Sequence, residues 1–319
     1  MSWNTRITQL LQVKYPIIQG GLAHLAYAEL AAAVSNAGAL GQITAMSLES
    51  PEALRKEIIK VKKLTKKPFG VNFAIGQHNR PFEQMVQVAI DEEVSVISVT
   101  GGNPKGVLEM VKNYSIKTLV LVAATRQAVK AEELGADAVI VVGQEGGGHL
   151  GRSDTGTIVL TPQVADKVNI PVVASGGIFD GRGLMAALSL GADGIEMGTR
   201  FIATQECVHA HPVYKRDIIE ANENDTVIIK KTLGAPARAL QNRWTEEILN
   251  LEKQGVGYDG LKDYISGKAN RNYIHKGEND KGFGWAGQSA AGIKDLPTVQ
   301  ELINRMIKQA EVIREDWSK

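Results

Sequence analysis

Short apolar runs recur along this chain at fairly even spacing, with helical periodicity between them. Eight runs read as strands: Pro16–Gln19, Leu40–Ile43, Phe69–Asn72, Val94–Val99, Thr118–Val122, Ala138–Val142, Pro171–Ala174 and Gly194–Met197. Helical patterns occupy Tyr27–Asn36, Pro51–Lys63, Pro81–Glu92, Pro104–Asn113, Arg126–Glu133, Thr161–Val168 and Gly183–Leu190. Several follow Ser, Asn or Thr in capping positions or begin with proline in the first turn. Gly38, Gly135 and Gly191 stand where a helix stops in a left-handed conformation. No hairpin signal joins neighbouring strands, so the pattern predicts parallel pairs with right-handed crossovers. Eight such units predict an α/β fold, the closed (β/α)8 TIM barrel.

A near-repeat fixes the phase of two strands. Glu133-Leu134-Gly135-Ala136-Asp137-Ala138-Val139 matches Ser189-Leu190-Gly191-Ala192-Asp193-Gly194-Ile195, each a helix end feeding the next strand. Shared turn chemistry is the larger part of that likeness. Beyond the eighth strand the alternation is lost. Residues 204–281 read as a mainly helical insertion or lid over the C-terminal face of a barrel spanning 1–203, with Arg238–Leu251 its clearest helix and Asn270–Lys281 a mobile loop. Residues 282–319 return to the barrel, where Thr298–Glu315 is predicted to complete the outer ring.

Composition narrows the class. A length of 319 residues allows two domains or one large barrel. A net charge of +1 and an aromatic content of 5% argue against nucleic-acid binding and against a polybasic membrane surface. The one cysteine, Cys207, excludes an internal disulfide and a multi-cysteine metal site. His209 and His211 beside it lack further ligands, so a helix-start or structural role is expected and no metal. Without an apolar signal segment or an 18-residue apolar run, a cytoplasmic enzyme is expected.

The candidate chemistry gathers in Val139–Gly151. There an apolar strand stops, four glycines fall within the six residues 143–148, and His149 follows. Glycine lets backbone approach a ligand closely, and histidine exchanges a proton near neutral pH. Barrels bind ligands at the C-terminal ends of their strands, which here carry Gln19-Gly20-Gly21, Thr44, Asn72, Thr100-Gly101-Gly102, Gly143 to His149, Ser175-Gly176-Gly177 and Gly198-Thr199. The last two lie where barrels hold phosphate. His24, in the loop after the first strand, is a candidate substrate contact. Arg200 is open to two readings, a phosphate partner or a structural ion pair.

Gln19-Gly20-Gly21, Ala32–Gly38, Phe69–Asn72, Glu145–Gly151, Ala174–Gly177 and Gly198–Phe201, with a weaker echo at Trp285-Ala286-Gly287-Gln288, resemble the nitronate monooxygenase (2-nitropropane dioxygenase-like) family. That family also includes FMN-dependent enoyl-ACP reductase II. The resemblance implies an FMN-dependent oxidoreductase in which His149 is catalytic and faces the flavin. The cofactor contacts it implies are Gly20, Gly21, Asn72, Gly147, Gly148, Gly176, Gly177, Glu196, Met197, Gly198 and Thr199. The implied activity is oxidation of alkyl nitronates by dioxygen. The alternative is an NAD(P)H-dependent enoyl-ACP reductase or other flavin reductase. Leu160–Asp166 resembles the monooxygenases, whereas Gln19–Ala23 is closer to the reductases, and Val142 replaces a glutamine common in the monooxygenases. A small-molecule substrate is expected, with NAD(P)H and a second copy of the chain left open as partners. A sugar-phosphate isomerase or synthase would explain the phosphate loops without flavin.

Overall fold

The computed structural model describes residues 3–76 and 81–317. Its strands are β1 Ile17–Gln19, β2 Gly41–Thr44, β3 Phe69–Ala74, β4 Val96–Thr100, β5 Lys117–Val122, β6 Ala138–Val142, β7 Gly148–His149, β8 Val172–Ser175, β9 Gly194–Met197, β10 Thr226–Ile229 and β11 Ala237–Leu240. Eight of them run parallel in the order β1-β9-β8-β6-β5-β4-β3-β2. A parallel bridge between Ile18 and Leu40 joins the two ends of that order and closes the ring. All eight predicted strands are present, so the TIM barrel stands.

Alternation along the strands divides the barrel interior into layers. Ile18, Val96, Leu119, Ile140 and Val173 pack with Ile7 and Leu11 of the helix Arg6–Leu11, which plugs the N-terminal end. Two residues further along β4 and β8 come Ser98 and Ser175, and Asn72 and Glu196 lie in register with them on β3 and β9. The barrel is therefore apolar below and polar above, toward the strands' C-terminal ends. The last helix, Val299–Trp317, lies against the helix Gly181–Ser189 so closely that a Cβ on Gly181 would stand 2.4 Å from the Met306 carbonyl oxygen.

The near-repeat has a physical cause. Gly135 and Gly191 take φ of 89° and 88°, and the aspartate two residues later turns back onto a neighbouring strand. The Asp137 carboxylate accepts from the Thr118 N–H at 2.8 Å, and that of Asp193 from the Val172 N–H at 3.0 Å. Asp137→Ala should lower unfolding stability by about 1 kcal/mol in urea, the worth of a lost backbone-capping hydrogen bond. An unchanged urea midpoint would remove Asp137 from this role.

Three helical expectations shift. The helix predicted at Thr161–Val168 spans Thr157–Ala165 and accommodates Pro162 internally. Proline donates no hydrogen bond to the carbonyl four residues back, and that residue, Ile158, is exposed to water. Arg238–Leu251 is not one helix. Its start belongs to β11, paired with β10 on one side and β7 on the other, and the helix Arg243–Lys253 begins only after Asn242 accepts from the Thr245 N–H at 2.8 Å. The expected mobile loop at Asn270–Lys281 is largely the end of the helix Gly267–Lys276. Buried Asn270 ties it down by donating to the Phe283 carbonyl at 2.9 Å. Among the described residues, no helix is long and apolar enough to cross a membrane.

Candidate active site

The polar upper layer of the barrel meets the glycines that end its strands. Asn72 donates to Ser98 Oγ at 2.9 Å and to Thr100 Oγ1 at 3.0 Å. Its Oδ1 lies against Gly21, where a Cβ would stand 2.4 Å away. The Gly20 N–H donates to the Met197 carbonyl at 2.9 Å, and a Cβ there would lie 3.2 Å from the Glu196 carboxyl carbon. Glu196 is buried and accepts from Ser175 Oγ at 2.9 Å. Burial pushes its carboxyl up to about 7, against the Ser175 hydrogen bond, which lowers it.

The loop after β6 is folded on itself and on two neighbours. Gly146 donates to the Gly143 carbonyl at 3.0 Å. Gly176 and Gly177, at φ 100° and 77°, pass close beside it, and a Cβ on Gly176 would lie 3.0 Å from the Gly146 nitrogen. Glu145 caps the helix Thr157–Ala165, accepting from the Thr157 N–H at 2.8 Å and its hydroxyl at 3.0 Å. The segment Trp285–Gln288 backs the loop. Gly287 donates to Thr199 Oγ1 at 2.9 Å, Gln288 to the Glu145 carbonyl at 2.9 Å, and a Cβ on Gly147 would stand 2.6 Å from the Gly287 nitrogen. Among the described residues, nothing accepts from the N–H groups of Gly176, Gly177 and Gly198. The N-terminus of the helix Gly181–Ser189 is different, being capped by Asp180, which accepts from the Arg182 and Gly183 N–H groups at 3.0 and 3.2 Å.

His149 is presented from β7, the edge of the small antiparallel sheet, paired with Ala237 of β11. Its Nε2 lies 2.8 Å from Lys230 Nζ, and its ring centroid 5.5 Å from that of Trp285. Lys230 directly follows β10 and is 9% exposed, with Nζ 5.4 Å from the Trp285 centroid. Burial lowers its ammonium to about 8, opposed by the charge of Glu252.

A glycine-lined barrel mouth with an imidazole and an ammonium at its rim can bind an anionic ligand and exchange protons with it. A family profile described as nitronate monooxygenase matches residues 4–80 and 73–309. The chain belongs to the nitronate monooxygenase family. A protein named probable nitronate monooxygenase from Staphylococcus saprophyticus is 33% identical over 98% of this chain and 99% of its own. The structure of FabK from Thermotoga maritima superposes with a TM-score of 0.92 at 38% identity, covering 99% of this chain and 98% of that one. Nitroalkane oxidase from Streptomyces ansochromogenes gives 0.82 at 26% identity, covering 98% and 100%. As a member of the nitronate monooxygenase family the chain is an oxidoreductase.

The fold brings most of the family-implied residues into one neighbourhood. Gly20, Gly21, Asn72 and Glu196 adjoin one another. Gly147, Gly148, Gly176, Gly177 and Thr199 meet around the loop after β6 and the Trp285–Gln288 segment, and Gly198 lies against Leu22. Met197 is in the core and offers only its carbonyl, to Gly20. His24 lies in the loop after β1. It holds a φ of 62°, donates its N–H to Ser47 Oγ at 2.8 Å, and faces His275 of the helix Gly267–Lys276 edge-on at 6.3 Å. Arg200 forms an ion pair with Asp295 at 3.0 Å. His211 caps the helix Pro212–Glu220, its Nδ1 accepting from the Val213 N–H at 3.2 Å, and no metal-holding group occurs among the described residues. Sequence reasoning missed Lys230 and Glu252, and it had only an echo of Trp285. The available signal was an apolar run, Thr226–Ile229, ending in two lysines, which reads equally as a solvated turn.

Proposed function

We propose that this chain is an FMN-dependent enzyme that oxidises alkyl nitronates with dioxygen. The supporting observation is the His149–Lys230 pair beside a glycine-lined cradle at the strand ends. The residues suit FMN. Glycines stand where side chains would fill the cradle, and the unpartnered N–H groups of Gly176, Gly177 and Gly198 suit one phosphate in the loops where barrels bind it. Gly20, Gly21, Asn72, Gly147, Gly148, Glu196 and Thr199, with the Met197 carbonyl, would hold the remainder. FMN, when bound, takes electrons from substrate and passes them to dioxygen.

The chain's own residues account for the rest of the reading. His149 takes a proton from the carbon of a neutral nitroalkane, or with Lys230 binds the oxygens of a preformed nitronate. Trp285, packed against both, keeps water from one side of the pair. Purified protein is expected to release about one FMN per chain and no FAD, since the glycine loops after β8 and β9 suit a single phosphate. Extraction of FAD, or of no flavin, would overturn the cofactor assignment. Anaerobic mixing with a nitronate should bleach the flavin absorbance, and readmitted oxygen should be consumed without NAD(P)H.

A second reading is favoured by the Gln19–Ala23 loop and by the greater identity to FabK than to the nitroalkane oxidase. It is NAD(P)H-dependent reduction of an enoyl thioester. Rapid anaerobic bleaching by NADH or NADPH, reversed by an enoyl thioester and not obtained with nitronate, would replace the first reading with this one.

A further inference from the structure

Lys230 is held in place by several independent features. A φ of 62° is unusual for a long side chain, and it turns the residue out of β10 at the strand's end. A carboxylate fixes that turn. Glu252 Oε2 accepts from the Lys230 N–H at 3.0 Å, and Oε1 accepts from the N–H and hydroxyl of Thr232 at 3.0 and 2.8 Å. The aliphatic stem is buried and the ammonium lies over the Trp285 ring, 2.8 Å from His149 Nε2.

That short contact constrains the protons. A charged lysine and a charged histidine have only N–H donors to offer each other, so at 2.8 Å one of the two must accept. An ammonium donating to a neutral imidazole lets Nε2 accept and leaves the ring proton on Nδ1; Nε2 is then free to take a proton from a substrate carbon only once the ammonium turns its hydrogen bond to the bound substrate's oxygens. We propose that Lys230 is a positioning residue that keeps His149 neutral and protonated on Nδ1, and that Glu252 holds Lys230 for this task. The pair then carries one positive charge, which suits a substrate whose negative charge is spread over oxygens, a point that rests on the nitronate reading above. Among the described residues, the groups facing Lys230 include His149 from β7, Trp285 and Glu252 from the helix Arg243–Lys253. Burial lowers the ammonium to about 8, so the arrangement holds through neutral pH and is lost as Lys230 deprotonates above it.

The test follows the imidazole itself. The chain has six histidines, and in protein labelled with 15N-histidine the His149 ring signals are identified by their loss in His149→Gln. In the flavin-loaded wild type they should show the Nδ1-protonated neutral pattern near pH 7. In Lys230→Met the protonation midpoint should rise by about one pH unit or more and the single tautomer should be lost, while Lys230→Arg should restore the low midpoint. The acid limb of kcat/KM for a neutral nitroalkane should move with it, with kcat affected more than KM. Should Lys230→Met not fold, Lys230→Gln, which hydrogen-bonds without charge, is read in the same way. An identical His149 midpoint with and without the lysine charge would overturn the proposal. The ring signals need no turnover, so they decide the matter even if the protein proves to act on something other than nitronates.

Discussion

Replacing His149 with alanine is expected to slow turnover of a neutral nitroalkane by ~10²–10⁴-fold, the usual worth of a positioned general base. The effect should be smaller for a preformed nitronate, which has no proton to lose, unless the imidazole also binds the anion. Bound FMN should remain, because the glycine cradle is built from backbone and small residues of several loops and takes nothing from the imidazole. The imidazole is exposed at the barrel rim and carries little core packing, so the unfolding midpoint should change little. Steady-state rates with nitroalkane and nitronate, flavin content and a thermal melt check all of this together. Early unfolding and loss of flavin, with normal turnover by whatever holoprotein survives, would make His149 structural.

The barrel was legible because its signals are local. Each strand is a short apolar run, and each turn carries its own chemistry, as the paired Gly135–Asp137 and Gly191–Asp193 turns show. The glycine loops were legible for a related reason. Their small residues have no part in a core and are explained by close approach, as at Gly21 against Asn72 and Gly147 against Gly287. Lys230 was not legible because its role depends on contacts far apart in sequence. His149 is 81 residues away, and the bond exists only because β11 pairs with β10 and β7 at once. The same pairing pulled Arg238 out of the predicted helix. Its side chain now donates to the Gln144 carbonyl at 3.1 Å and to Thr226 Oγ1 at 3.1 Å, tying the loop after β6 to the hairpin.

Glu196 yields the other large expected effect, on stability rather than rate. Its carboxyl is raised from 4.5 to about 7, chiefly by burial. Between those values the unfolded chain is ionised while the folded chain keeps its proton, so the folded state binds more protons and stability falls as pH rises. The loss begins near 4.5, is complete above about 7, and at about 1.4 kcal/mol per pH unit amounts to about 3 kcal/mol. Glutamine has the same shape, still accepts from Ser175 Oγ, and cannot ionise. Glu196→Gln should therefore match the wild type near pH 4.5 and exceed it by about 3 kcal/mol at pH 8, seen as a melting temperature several degrees higher. A phosphate held nearby by the glycine loops, as proposed above, would add to the same preference for the neutral acid, so flavin-loaded protein should show a gap at least as large. Parallel melting curves for the two proteins from pH 4.5 to 8 would mean that Glu196 ionises as an ordinary carboxylate. In that case the polar upper layer of the barrel must be open to water when folded.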